Sequence, residues 1–237
     1  MTDQEIEDLY VLQSKNVRRL KQVQTNLIKD INFYLRKSND FQVEIKTKLL
    51  ALLHCTLSEA QFIQIVHTPY GFTSSEIEKI KNAKSSNLEN GWKLMIDLAM
   101  DKVGDWNSNQ DLLGRRNSLL KIIDEYILTP SIIRNKIAHG QWKFALNREN
   151  TKENEGLTKQ LDELNIVDVS KWFDIHQYMG LIIRDLIQSP KKGFHNNYWI
   201  NLTDLEEYLN RSKGWTLETK KTLLKMKPIK VENDDYK

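Results

Sequence analysis

Apolar residues recur three and four positions apart over long stretches of the chain, and no stretch alternates apolar with polar residues long enough to make a half-buried strand. Only 9 glycines and 4 prolines interrupt 237 residues, so an all-α fold is expected. Ile6, Leu9, Val17, Leu20, Val23, Leu27, Ile31 and Tyr34 form the stripe of a long first helix, which residues Lys37 to Asp40 should end. A second helix is expected over Phe41 to Val66. Its apolar residues Leu49, Leu50, Leu52, Leu53, Phe62, Ile63 and Ile65 nearly encircle it, so it should lie at the centre of the fold.

Pro69 and Gly71 make Thr68 to Phe72 a turn, and Ser74 or Ser75 can cap a short helix reaching Ala83. Trp92 to Met100 and Asp111 to Leu128 carry further helical periodicity, separated by a polar loop over Gly104 to Gln110. Thr129-Pro130 has the form of a helix start, because Thr can cap free amides and Pro at the first position loses no hydrogen bond. Asn147 to Gly156 is polar enough to be an exposed loop, and Val169 to Ile187 is a strongly apolar helix closed by Ser189-Pro190. Thr203 to Asn210 and Thr216 to Met226 follow as short helices, and Lys227 to Lys237 as a polar tail that frays. With no repeat and no low-complexity linker, residues 1–237 are expected to form one domain. It comprises an N-terminal helix over 1–40, a core over about 41–188 and a C-terminal extension over 190–237.

Composition removes several kinds of chemistry. Cys55 is the only cysteine, so no disulfide can form within the chain, and its place among Leu52, Leu53 and Leu57 suits a small buried hydrophobe rather than a nucleophile. The acidic start, Met1 to Asp8, is not a secretory signal, and no apolar run approaches the roughly 20 residues of a spanning helix, so a cytoplasmic protein without membrane contact is expected. No Gly-rich phosphate loop is present, and His54, His67, His139, His176 and His195 are scattered without zinc-ligand spacing, so no metal and no cofactor are expected. A net charge of +3 and a pI near 8.7 permit a polyanionic partner without demanding one. Basic residues gather at Lys15, Arg18, Arg19 and Lys21, and again at Lys213, Lys220, Lys221, Lys225, Lys227 and Lys230. Either cluster can face phosphate or simply be a solvated helix face.

The segment Arg134-Asn135-Lys136-Ile137-Ala138-His139-Gly140 places an arginine, an amide and an imidazole within two helical turns. Asn135 and His139, four apart, share a face. Arg134 and His139, five apart, are separated by about 140° around an α-helix and about 7.5 Å along it, so one helix cannot focus both on a single phosphate. Pairing the helix with its own copy across a two-fold axis brings each arginine beside the other copy's histidine, which makes a homodimer part of the expected site. RNA carries its own nucleophile, the 2′-hydroxyl. Its cleavage needs a group that titrates near neutral pH and a cation for the crowded phosphorane, which His139 and Arg134 can supply.

An R-N-K-I-A-H-G run in an all-helical chain resembles the HEPN superfamily, whose ribonuclease members carry an R-x4-H motif with a polar residue after the arginine. The resemblance covers about residues 41 to 188 and matches Arg134, Asn135 and His139 to the catalytic positions. It implies a HEPN-type antiparallel helical bundle with additional short C-terminal helices. It also implies a homodimeric, metal-independent endoribonuclease, often a toxin or antiviral effector with an antitoxin or defence-system partner. Some toxin members extend the motif to R-x4-H-x-Y, where the tyrosine is modified by a partner enzyme. Gln141 occupies that position here, so that form of neutralisation is not expected. Lys136, Gln141 and Trp142 are candidates for contact with substrate, Trp142 through packing or base stacking. Glu59, a carboxylate on the apolar second helix, needs a cationic partner, and Arg134 can be that partner. Two other readings stay open: the Arg and His can stabilise a helix junction, and the chain can be a non-catalytic HEPN-type module that binds RNA or protein.

Overall fold

The computed structural model describes residues 1–192 and 197–226. His195 and the tail over 227–237 lie outside them. The helices are α1 (Asp3–Arg36), α2 (Asp40–Val66), α3 (Ser74–Ser86), α4 (Leu88–Val103) and α5 (Gln110–Ile123), then a π-helical turn (Asp124–Leu128). They continue with α6 (Thr129–Ala138), α7 (Glu155–Glu163), α8 (Ile166–Gln188), α9 (Trp199–Ser212) and α10 (Leu217–Met226). Among the described residues there is no strand, only an isolated bridge between Leu146 and Glu153, so the fold is all-α.

Capping sets where the first helices begin. Thr2 accepts the Glu5 amide while the Glu5 carboxylate accepts the Thr2 amide, and Thr73 and Glu76 repeat this exchange at the start of α3, one position earlier than the serines expected there. Asn39 caps α2 three residues after α1 ends, and Ser38 between them takes a positive φ of 54°. The short link folds α2 back along α1 as an antiparallel pair.

α2 is the axis of the fold. It is long and apolar enough by length and composition to cross a membrane, with a mean hydropathy of 1.4 over its most apolar window, although no unbroken apolar run marked it in the sequence. Its flanks are covered by α1, α6 and α8, and burial of such a helix by other helices is the ordinary fate of a bundle core. Its N-terminal half lies in one apolar cluster, with Val17, Ile31 and Leu35 of α1, Ile133 and Ile137 of α6, Leu161 of α7, and Ile166 to Phe173 of α8. Its C-terminal end lies in a second cluster with α3, α4, α5, the later half of α8, and α9.

α8 passes through both clusters in the same direction as α2. His54 meets Phe173 with ring centroids 5.0 Å apart, Gln61 meets His176 at 3.0 Å, and a Cβ added to Gly180 would come within 2.6 Å of Gln61 Nε2. The lack of a side chain at 180 therefore sets how closely α8 approaches α2. The expected antiparallel bundle thus holds for α1 and α2 but not for α2 and α8. The excursion from α3 to α7 carries the chain back to its starting end before α8 begins.

Candidate functional site

α6 starts at Thr129, as the sequence suggested, but Thr129 does not cap it as a free helix end. α5 runs into α6 through the π turn, where the Thr129 amide donates to the Asp124 carbonyl five residues back and the Thr129 hydroxyl joins it at 3.1 Å. The reason is Pro130, which has no amide hydrogen and whose ring would collide with the carbonyl four residues earlier in a regular helix. One extra residue per turn opens that spacing, so the helix crosses the proline instead of beginning at it.

Ile133 and Ile137 face α2, while Ile132, Asn135, Ala138 and His139 face solvent. Arg134 lies between these faces. Its Nη2 donates to Glu59 Oε1 at 3.1 Å, as the sequence had allowed. The guanidinium also lies beside the Cys55 thiol, one helical turn before Glu59 on α2. Burial pushes that thiol up to about 11, and the arginine only partly offsets this. Cys55 is therefore a protonated core residue, as its leucine neighbours implied. Arg134 Nε has no hydrogen-bond partner.

α6 ends at His139. The Gly140 amide bonds to the Ile137 carbonyl and the Gln141 amide to the Lys136 carbonyl, with Gly140 at a φ of +80°. This is the Schellman stop, which needs a residue tolerant of the left-handed region. His139 consequently stands at the C-cap of the helix, directly after Ala138, with its side chain exposed. The imidazole and the Asn135 amide make no side-chain hydrogen bond to each other or to any other described residue. Their link is the backbone bond from the His139 amide to the Asn135 carbonyl at 3.1 Å.

The histidines separate by environment. His54 and His176 are buried beside each other, and burial holds them down at about 4 and about 3. His67 is buried at the end of α2, its Nδ1 2.7 Å from the Ile63 carbonyl, and is also lowered. Of the histidines among the described residues, His139 alone is exposed.

The remaining candidates hold the segment that follows. Lys136 Nζ donates to the Leu146 carbonyl at 2.6 Å, the Gln141 side chain accepts the Leu146 amide at 2.7 Å, and Trp142 packs half-buried against the α1–α2–α8 cluster. Gln141 and Trp142 therefore lie beside the end of α6 without joining Arg134. Lys48, which sequence reasoning passed over, is 1% exposed and donates to the Trp142 carbonyl and to Glu44. A lysine inside the leucine-rich part of α2 was the available sign of it. Of the early basic cluster, Lys15, Arg18 and Arg19 are exposed, while Lys21 is half-buried against Gln177 and lowered by burial and by Arg184. Of the late cluster, Lys213 and Lys225 are exposed, Lys221 pairs with Glu218, and Lys227 and Lys230 lie outside the described residues.

Among the described residues, no group of three or more His, Cys, Asp or Glu side chains could hold a metal ion. Comparison with protein-family models, curated proteins and solved structures finds no match for this chain.

Proposed function

We propose that the chain is a metal-independent endoribonuclease of HEPN type, active as a homodimer that joins the exposed faces of two α6 helices. The observation that carries this reading is the end of α6, where an exposed histidine follows an arginine anchored to a carboxylate on the central helix. Apolar Ile132 and Phe144, 48% and 58% exposed, lie on or just beyond this helix and give a second copy something to cover.

In the proposed reaction His139 takes the proton of a ribose 2′-hydroxyl as that oxygen attacks the adjacent phosphorus. The bond from phosphorus to the 5′-oxygen breaks, the second copy's His139 in its charged form protonates that oxygen, and the products are a 2′,3′-cyclic phosphate and a free 5′-hydroxyl. Arg134 faces the negative charge that grows on the phosphorane, and Glu59 fixes the guanidinium in place beforehand. Asn135, exposed on the turn before His139, is positioned to hold a phosphate or ribose oxygen. In a cell, such cleavage suits a cytoplasmic toxin or antiviral effector restrained by a partner protein.

The ion pair with Glu59 favours a second reading, in which Arg134 is a structural strut and the chain is a non-catalytic module binding RNA or protein. The purified protein separates the two. Cleavage of RNA in the presence of a chelator, lost in His139→Ala and in Arg134→Ala dimers, is the expected result, and undiminished cleavage by either variant refutes the catalytic assignment.

A further inference from the structure

A cleft between the start of α8 and α10 is unused by this proposed chemistry. Val167 and Ser170 line one side and Trp215, Thr216, Thr219, Lys220, Leu223 and Leu224 the other, enclosing about 300 Å³. That volume is at the small end of ligand sites.

We infer that this cleft binds one unpaired nucleotide of a single-stranded RNA, with the base stacked on Trp215 and the phosphate beside Lys220. The inference rests on the ribonuclease reading and gives it a place to grip substrate. Trp215 leaves 41% of its surface exposed although it makes an edge contact with Tyr208, centroids 5.5 Å apart, and Arg211 lies 6.0 Å from its ring centre. An indole that lines the cleft and keeps two-fifths of its surface exposed offers a base a stacking platform, and it tolerates any base because every base has a π-face.

The charge in the cleft has one sign. Lys220 is half-buried, and its ammonium makes no ion pair among the described residues, whereas neighbouring Lys221 faces Asp40 and Glu218. Burial alone lowers Lys220, so no carboxylate compensates its desolvation. An anion entering the cleft supplies what the protein does not. The hydroxyls of Ser170, Thr216 and Thr219 add donors and acceptors for a ribose or phosphate, and Leu223 and Leu224 give the apolar floor a base needs.

The place suits a ribonuclease. On the other flank of the same early turns of α8, Asp168, Lys171 and Trp172 line a second cleft together with Thr129 and Ile133 of α6. One helix, about 10 Å across, therefore separates the nucleotide cleft from the helix that carries Arg134 and His139.

The test reads binding without cleavage. Full-length His139→Ala protein is titrated against 5′-fluorescein octauridylate in a chelator, and anisotropy gives Kd. Adding Trp215→Leu is expected to weaken binding about 10-fold, while Trp215→Phe retains most of it. Adding Lys220→Gln is expected to weaken binding several-fold and to reduce the slope of log Kd against log salt by about one. Binding within two-fold of the parent by both Trp215→Leu and Lys220→Gln overturns the proposal, as does no binding at all by the parent. If binding depends on both residues while the wild-type protein never cleaves RNA, the cleft stands and the ribonuclease reading falls. If the wild type cleaves but neither substitution alters binding, the cleft falls alone.

Discussion

Acidification from pH 7.5 to 5.0 should remove about 4 kcal/mol of stability through two core histidines. His176 Nδ1 lies 3.0 Å from Gln61 Oε1, and the His54 and His176 rings are 5.9 Å apart in an edge contact among Trp92, Trp172 and Phe173. Neither Nε2 has a partner, and no carboxylate acts on either ring, while His54 and Lys21 oppose a charge on His176. The folded values of about 4 and about 3 lie below the ordinary 6.5. The unfolded chain therefore binds protons first as the pH falls, so the contribution is whole above 6.5 and declines below it. At pH 5 each histidine has lost about 2 kcal/mol, against a typical total of about 5–15 kcal/mol. Urea unfolding followed by circular dichroism at the two pH values measures the loss, and His54→Leu with His176→Leu should remove most of the pH dependence. A wild-type stability unchanged between these pH values refutes the reasoning, as does a loss undiminished in the double variant.

Gly140→Ala forces a side chain into the left-handed region at +80° and should lower stability by about 1 kcal/mol, read as a fall in Tm, with RNA cleavage reduced further because His139 moves with the cap. Glu59→Gln keeps a hydrogen-bond acceptor for Arg134 but removes the charge, and should leave Tm within a few degrees while lowering kcat. A Tm loss with unchanged kcat would make Glu59 purely structural. Mixed dimers of one wild-type chain and one Asn135→Ala,His139→Ala chain keep a single His139 and should lose most of the cleavage, because base and acid come from the two copies, and cleavage at half the wild-type rate in a verified heterodimer places the site within one chain. Lys48→Met removes the buried donor to the Trp142 carbonyl and should lower stability by about 1–3 kcal/mol in urea titration.

The all-α class and most helix positions were legible because helical periodicity and capping act within a few residues. α1, α2 and α8 carry continuous stripes, and the main errors were at ends. The short α7 was missed because its nine residues, Glu155–Glu163, bury only Thr158 and Leu161, too few to make a stripe stand out from a polar loop. The π turn escaped for a different reason. Thr129-Pro130 has the same local form whether a helix starts there or crosses it, and packing of Ile127 and Ile133 on both sides selects the second. The pairing of Arg134 with Glu59 was legible as chemistry, since a carboxylate on an apolar helix needs a cation. The direction of α8 along α2 was not, because it depends on the path of the 99 residues between them, 67–165, rather than on any residue in either helix.

The π turn also makes the site depend on a count. A five-residue turn is a regular helix carrying one surplus residue, and each residue advances an α-helix by about 100°. Deleting one residue between Asp124 and Leu128 would rotate everything beyond it by about that angle relative to α5. Arg134 would then leave Glu59, and Ile133 and Ile137 would turn toward solvent, although every residue of the motif remained in place. Residues 124–128 thus act as a phase setting for α6, and insertions or deletions there are far more disruptive than substitutions at the same positions.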